Sequence, residues 1–215
     1  MELIRSLHAV AGIVLILAGL MQIIFPKGGI RHAMSGLTYL AAWVVIVVST
    51  VIVGNYLNSS MAILGFYLAF SGWRFAVSRR SAHKTVDKVA VAVAIICGLG
   101  TIAVSVHFFL VKDKAVLIGI LIGLAYLALV GRDLFIYVLN QKNKKKDPSK
   151  SLWYFQHIQR MYLSFIIALL SFGLIQDLFH DTLLNWLIPA SAGTTLLLAS
   201  LWYFRRKLDK EKHKT

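Results

Sequence analysis

The sequence predicts an all-α fold, a polytopic bundle of about seven transmembrane helices. The chain is dominated by apolar residues, these fall in runs long enough to cross a bilayer, and the cations gather in alternate gaps between the runs. Apolar side chains make up 58% of the 215 residues and charged ones only 15%, a balance beyond that of a water-soluble domain. A net charge of +14 would suggest nucleic acid in a soluble protein. Here the lysines and arginines lie in short runs between apolar stretches, so the expected partner is a lipid bilayer with an anionic leaflet and nucleic acid is excluded. Cys97 is the only cysteine, which rules out an intramolecular disulfide, a CxxC pair and a cysteine metal site.

A membrane helix needs roughly 20 mainly apolar residues. Runs of that kind are expected near 4–25, 33–54, 60–78, 88–111, 115–138, 158–179 and 183–204. The first is long, lacks a small-x-small cleavage signature and leads straight into further spans, so it reads as a helix and not as a cleaved signal. The third is short and carries Arg74, the fifth carries Arg132 and Asp133, and the sixth opens on a polar turn. Tyr56, Trp153, Trp186 and Trp202 fall near span ends, where interfacial aromatics belong. Gly12, Gly19, Gly36, Gly72, Gly98, Gly100, Gly119, Gly123 and Gly173 suit close helix contact in lipid.

The loops alternate in charge. Lys27 and Arg31 lie in the first, Arg79, Arg80, Lys84 and Lys88 in the third, and Lys142, Lys144, Lys145, Lys146 and Lys150 in the fifth, with a further basic group from Arg205 to Lys214. The second loop is uncharged, the fourth sets Lys112 and Lys114 around Asp113, and the sixth has Asp181. Because positive residues are retained inside, the N-terminus is expected outside and the C-terminus in the cytoplasm. Apart from 139–157 the loops are short, which gives a single transmembrane helical domain, 1–204, followed by a basic cytoplasmic tail, 205–215. Lys144 to Lys146 reads as a solvated topogenic run. Lys27-Gly28-Gly29 reads as a tight turn, since it lacks the spacing and the preceding strand of a phosphate loop.

Ionisable groups inside spans are costly and therefore point to function. His32, Arg74, Arg132, Asp133, His157 and Arg160 all fall toward the cytoplasmic side, and helical spacing puts His157 and Arg160 on one face. His8 and His107 fall at a matching depth on the other side. Two levels of paired histidines, His32 with His157 and His8 with His107, are what a transmembrane carrier of haem b requires for electron transfer or redox sensing, with Arg74 and Arg160 neutralising propionates. Gly12 and Gly36, each four residues after a histidine, share its helix face and leave room for a macrocycle.

Three other readings stand beside this one. His32, His157 and Asp133 offer two nitrogens and an oxygen to zinc, although no HExxH-like spacing is present. The inner cluster of His32, Arg74, Asp133, His157 and Arg160 would serve a transporter or a lipid-handling protein. Alternatively, Arg74, Arg132, Asp133 and Arg160 form ion pairs in a non-catalytic membrane scaffold.

The succession His8-x-x-x-Gly12, Lys27-Gly28-x-x-x-His32-x-x-x-Gly36-x-x-Tyr39, Phe66-Tyr67 with Gly72 and Arg74, Arg132-Asp133-Leu134 and His157-Ile158-x-Arg160-Met161 resembles a group of uncharacterised bacterial multi-span membrane proteins. The resemblance covers nearly the whole chain. It implies a compact helical bundle in the bacterial inner membrane and implies no particular reaction. The His-x-x-x-Gly words are also similar to those of b-type cytochromes in membranes, as an analogy of site only.

Overall fold

In the computed structural model, residues 1–54, 56–78, 85–109, 116–142 and 152–212 are described. They form seven helices in the order α1 (Glu2–Ile24), α2 (Ile30–Val53), α3 (Tyr56–Ser78), α4 (Thr85–Phe109), α5 (Val116–Lys142), α6 (Leu152–Gln176) and α7 (Thr182–Lys212). No strand occurs among the described residues. All seven expected spans are therefore helices. All but α5 start one to six residues before the apolar runs, and α5 and α7 continue past them, because helical hydrogen bonding does not stop where hydrophobicity does. By contrast, α1, α2 and α6 end one to three residues short. α6 begins at Leu152, so His157 sits inside its second turn, and α7 carries the basic tail as helix to Lys212.

Six of these helices, among the described residues, are long and apolar enough to cross a membrane. The distribution of side chains agrees. Leu3, Val10, Ile13, Leu17, Ile52, Ile96, Leu99 and Leu198 project from the bundle, whereas Ser105, Ser164, Asn185, Arg160 and Asp133 lie within it. Such a surface is unfavourable in water and suited to hydrocarbon, while polar groups that lipid cannot solvate find partners inside. The chain is an integral membrane protein.

α3 and α6 form the centre. α3 packs on α2, α4 and α6 and touches α5, while α6 packs on α1, α3 and α7. α1 with α2 and α4 with α5 are paired helices on either side of this centre, and α7 packs on α6. Tyr39 and Trp43 of α2, Leu15 of α1, Ala69 of α3 and Phe165 of α6 make one buried cluster. Tyr67 and Leu68 of α3 make a second with Ala94 of α4 and Tyr126 of α5. The meeting of α4 with α5 demands glycine. A Cβ on Gly98 would meet Tyr126 Cβ at 2.8 Å, and one on Gly123 would overlap Ile102 and approach the Gly98 carbonyl at 3.0 Å, so α4 and α5 approach through bare backbone.

Candidate functional site

The site begins with the reversal between α1 and α2. Phe25 is extended, Pro26 cannot donate to a continuing helix, and Gly28 adopts φ +83°, which side-chain-bearing residues rarely do. Lys27 lies inside this turn and donates to the carbonyl oxygens of Gln22 and, at 3.2 Å, Ile23, capping the end of α1. The chain then re-enters the bundle, with His32 in the first turn of α2.

His157 approaches from α6. Its Nδ1 donates to the Gly72 carbonyl of α3 at 2.9 Å. Since a carbonyl only accepts, that bond fixes the proton on Nδ1 and leaves Nε2 as a lone-pair donor. The two imidazole centroids are 6.2 Å apart with their planes at 79°. His32 Nδ1 is buried without a hydrogen-bond partner, which is uncommon for a polar atom and calls for an explanation.

Both rings line a cleft of about 1810 Å³ bounded by the ends of α1, α2, α3, α6 and α7 that lie at the basic side of the bundle. Aromatic walls come from Trp73, Tyr154, Tyr162, Phe165 and Phe204, and Gly36 lies below His32. Among the described residues, Lys27 and Lys207 are the cations on its lining, and no carboxylate lines it.

The arginines lie elsewhere. Arg160 is 3% exposed and Asp133 6%. Arg160 Nη1 donates to Asp133 Oδ2 at 2.9 Å and to Ser71 Oγ at 2.7 Å, Nη2 donates to Asp133 Oδ1, and Tyr67 donates its hydroxyl to Asp133 Oδ2. The guanidinium carbon also sits 4.9 Å from the centre of the Phe75 ring. Arg74 forms a two-point pair with Asp87 of α4, at 2.7 and 3.1 Å. Arg132 reaches Gln156 at 2.7 Å and Gln159 at 2.9 Å. His157 and Arg160 do share a face, since one bonds Gly72 and the other the adjacent Ser71.

Of the residues singled out from sequence, His32 and His157 are thus brought together. Asp133 is spent on Arg160 and Tyr67, and no group of three His, Cys, Asp or Glu able to hold a metal ion occurs among the described residues. His8 Nδ1 bonds Ser49 Oγ at 2.9 Å, with Thr50 Oγ1 at 3.4 Å. The side chain of His107 lies outside the described residues. Lys27, Gln22, Asp87 and Tyr67 carry contacts that sequence reasoning did not assign. Lys27 and Tyr67 had a visible signal, since both stand in the words quoted from the sequence, Lys27 one residue before a turn glycine and five before His32.

No protein-family model matches the chain, and no curated protein or solved structure does so either.

Proposed function

We propose that the chain binds haem b between His32 and His157 and serves electron transfer or redox sensing in a bacterial inner membrane, with its basic end in the cytoplasm. The pairing of the two rings carries this reading. Two imidazoles from different helices, their centroids 6.2 Å apart, line one cleft and would be the residues that hold the haem iron.

The number of donors supports haem over zinc. A zinc site takes three or four protein ligands, and here two imidazoles meet edge-on while Asp133 is engaged by Arg160. Haem brings its own ring nitrogens and asks the protein only for the axial positions. When bound, it supplies one-electron chemistry. The chain contributes orientation and apolar walls. The Gly72 carbonyl holds the His157 ring in one tautomer and makes its free nitrogen a better donor. His32 Nδ1 lacks a protein partner, and a donor or acceptor on the bound ligand or a bridging water would satisfy it. Trp73, Tyr154 and Phe204 offer flat apolar walls.

Protein purified from haem-sufficient cells should show the Soret and α/β bands of a bis-imidazole b-type haem. Alanine at His32 or His157 should abolish them. Colourless protein that takes up no added haem would overturn the reading. The cleft itself favours a second one, in which an anionic amphiphile enters between the aromatic walls toward Lys27 and Lys207. In that case anionic lipid would raise the thermal stability of colourless protein, as expected of a transporter or a lipid-handling protein.

A further inference from the structure

We infer that Lys27 is the cation that holds a carboxylate of the ligand seated between His32 and His157; the inference rests on the haem reading, in which that carboxylate is a propionate. Sequence spacing had offered Arg74 and Arg160 for this role, but each is already matched to a carboxylate, Asp87 and Asp133 respectively. An arginine in a two-point pair has little left to offer a second anion.

The cleft supplies cations of its own. Among the described residues that line it, the fully charged ones are Lys27 and Lys207, and no aspartate or glutamate balances them. A cavity with positive charge and no acid favours an anion. Lys27 is singled out by position. It lines the same cleft as both imidazoles and lies in the turn that leads into α2, five residues before His32.

Its donors are also accounted for. An ammonium has three N–H groups, and two of them go to the carbonyls of Gln22 and Ile23. These bonds fix the head at the end of α1 and leave one N–H for the cleft. Pro26 on one side and Gly28 at φ +83° on the other define the turn that sets this position. The residue remains exposed, so a carboxylate paired with it would stay at the polar boundary, where its desolvation cost is small. The macrocycle would then lie deeper, between the rings.

A capping role for α1 alone would use the same two carbonyl bonds, so the test must separate capping from carboxylate binding. Full-length protein in nanodiscs of zwitterionic lipid would be titrated with haem b and with its dimethyl ester, whose propionates carry no charge, following the Soret band. Lys27→Gln should weaken haem b binding about tenfold, the order expected for loss of a charge-assisted hydrogen bond, and should leave the dimethyl ester unaffected. It should also lower the haem midpoint potential, since a lost neighbouring cation favours the ferric state. Lys27→Arg should restore most of the haem b affinity. Equal weakening for both porphyrins, or none for either, would overturn the inference while leaving the haem reading intact. Wild-type protein that binds neither porphyrin would overturn both.

Discussion

Asp133 accepts hydrogen bonds from Arg160 and Tyr67 in the middle of the bundle, and Ser71 takes a further donor of Arg160. Removing one member of such a buried pair leaves the other charge without compensation, at a cost of about 3–5 kcal/mol. Asp133→Ala should therefore lower thermal stability in detergent strongly. Exchange of both partners for apolar residues, Asp133→Leu with Arg160→Met, should cost much less, because no orphaned charge remains. Thermal unfolding of the two variants measures the difference. At this scale the sequence was informative about which residues matter and poor on pairings. Depth alone grouped His32 with His157, and the face shared by His157 and Arg160 followed from spacing. Asp87 as the partner of Arg74 was hidden, because it depends on how α4 returns beside α3. The position of Lys27 was visible but its role was not, because a turn lysine in a basic loop looks the same whether it faces solvent or a cleft.

The helices themselves were legible, since length and apolar content are local properties, whereas their neighbours depend on tertiary packing. Glycine marked the close contacts only once the pairs were known. Gly72 faces α6, where a Cβ would lie 3.1 Å from both Arg160 Cβ and Met161 Sδ. Gly72→Val should push α6 from α3, loosen the His157 bond to the Gly72 carbonyl and weaken haem binding, which a Soret titration reads directly. Gly123→Val acts at the other paired helices, against Ile102 and the Gly98 backbone. It should destabilise the protein by about 1–3 kcal/mol through overpacking and leave haem affinity unaltered in the folded fraction. If both variants changed haem affinity alike, the inner site would depend on the whole bundle and not on the α3–α6 contact.

For the molecule as a whole, apolar side chains cover the outside and the polar residues make their bonds within. That arrangement follows from using lipid as solvent. Composition made it readable before any fold was known. Orientation rests on the charge of the loops, and it is testable at the end of α7. In a Cys97→Ala background, which removes the only native thiol, Arg205→Cys should react with a membrane-impermeant maleimide in inverted inner-membrane vesicles and stay unlabelled in intact spheroplasts. The reverse pattern would place the cleft, Lys27 and the two imidazoles at the outer face. Near-infrared magnetic circular dichroism of the oxidised, purified protein most directly tests whether His32 and His157 share one iron. A charge-transfer band characteristic of two neutral imidazole ligands, lost in His32→Ala and in His157→Ala, is the expected result. Bound haem with any other axial pair, or with its band unchanged in both variants, would contradict it.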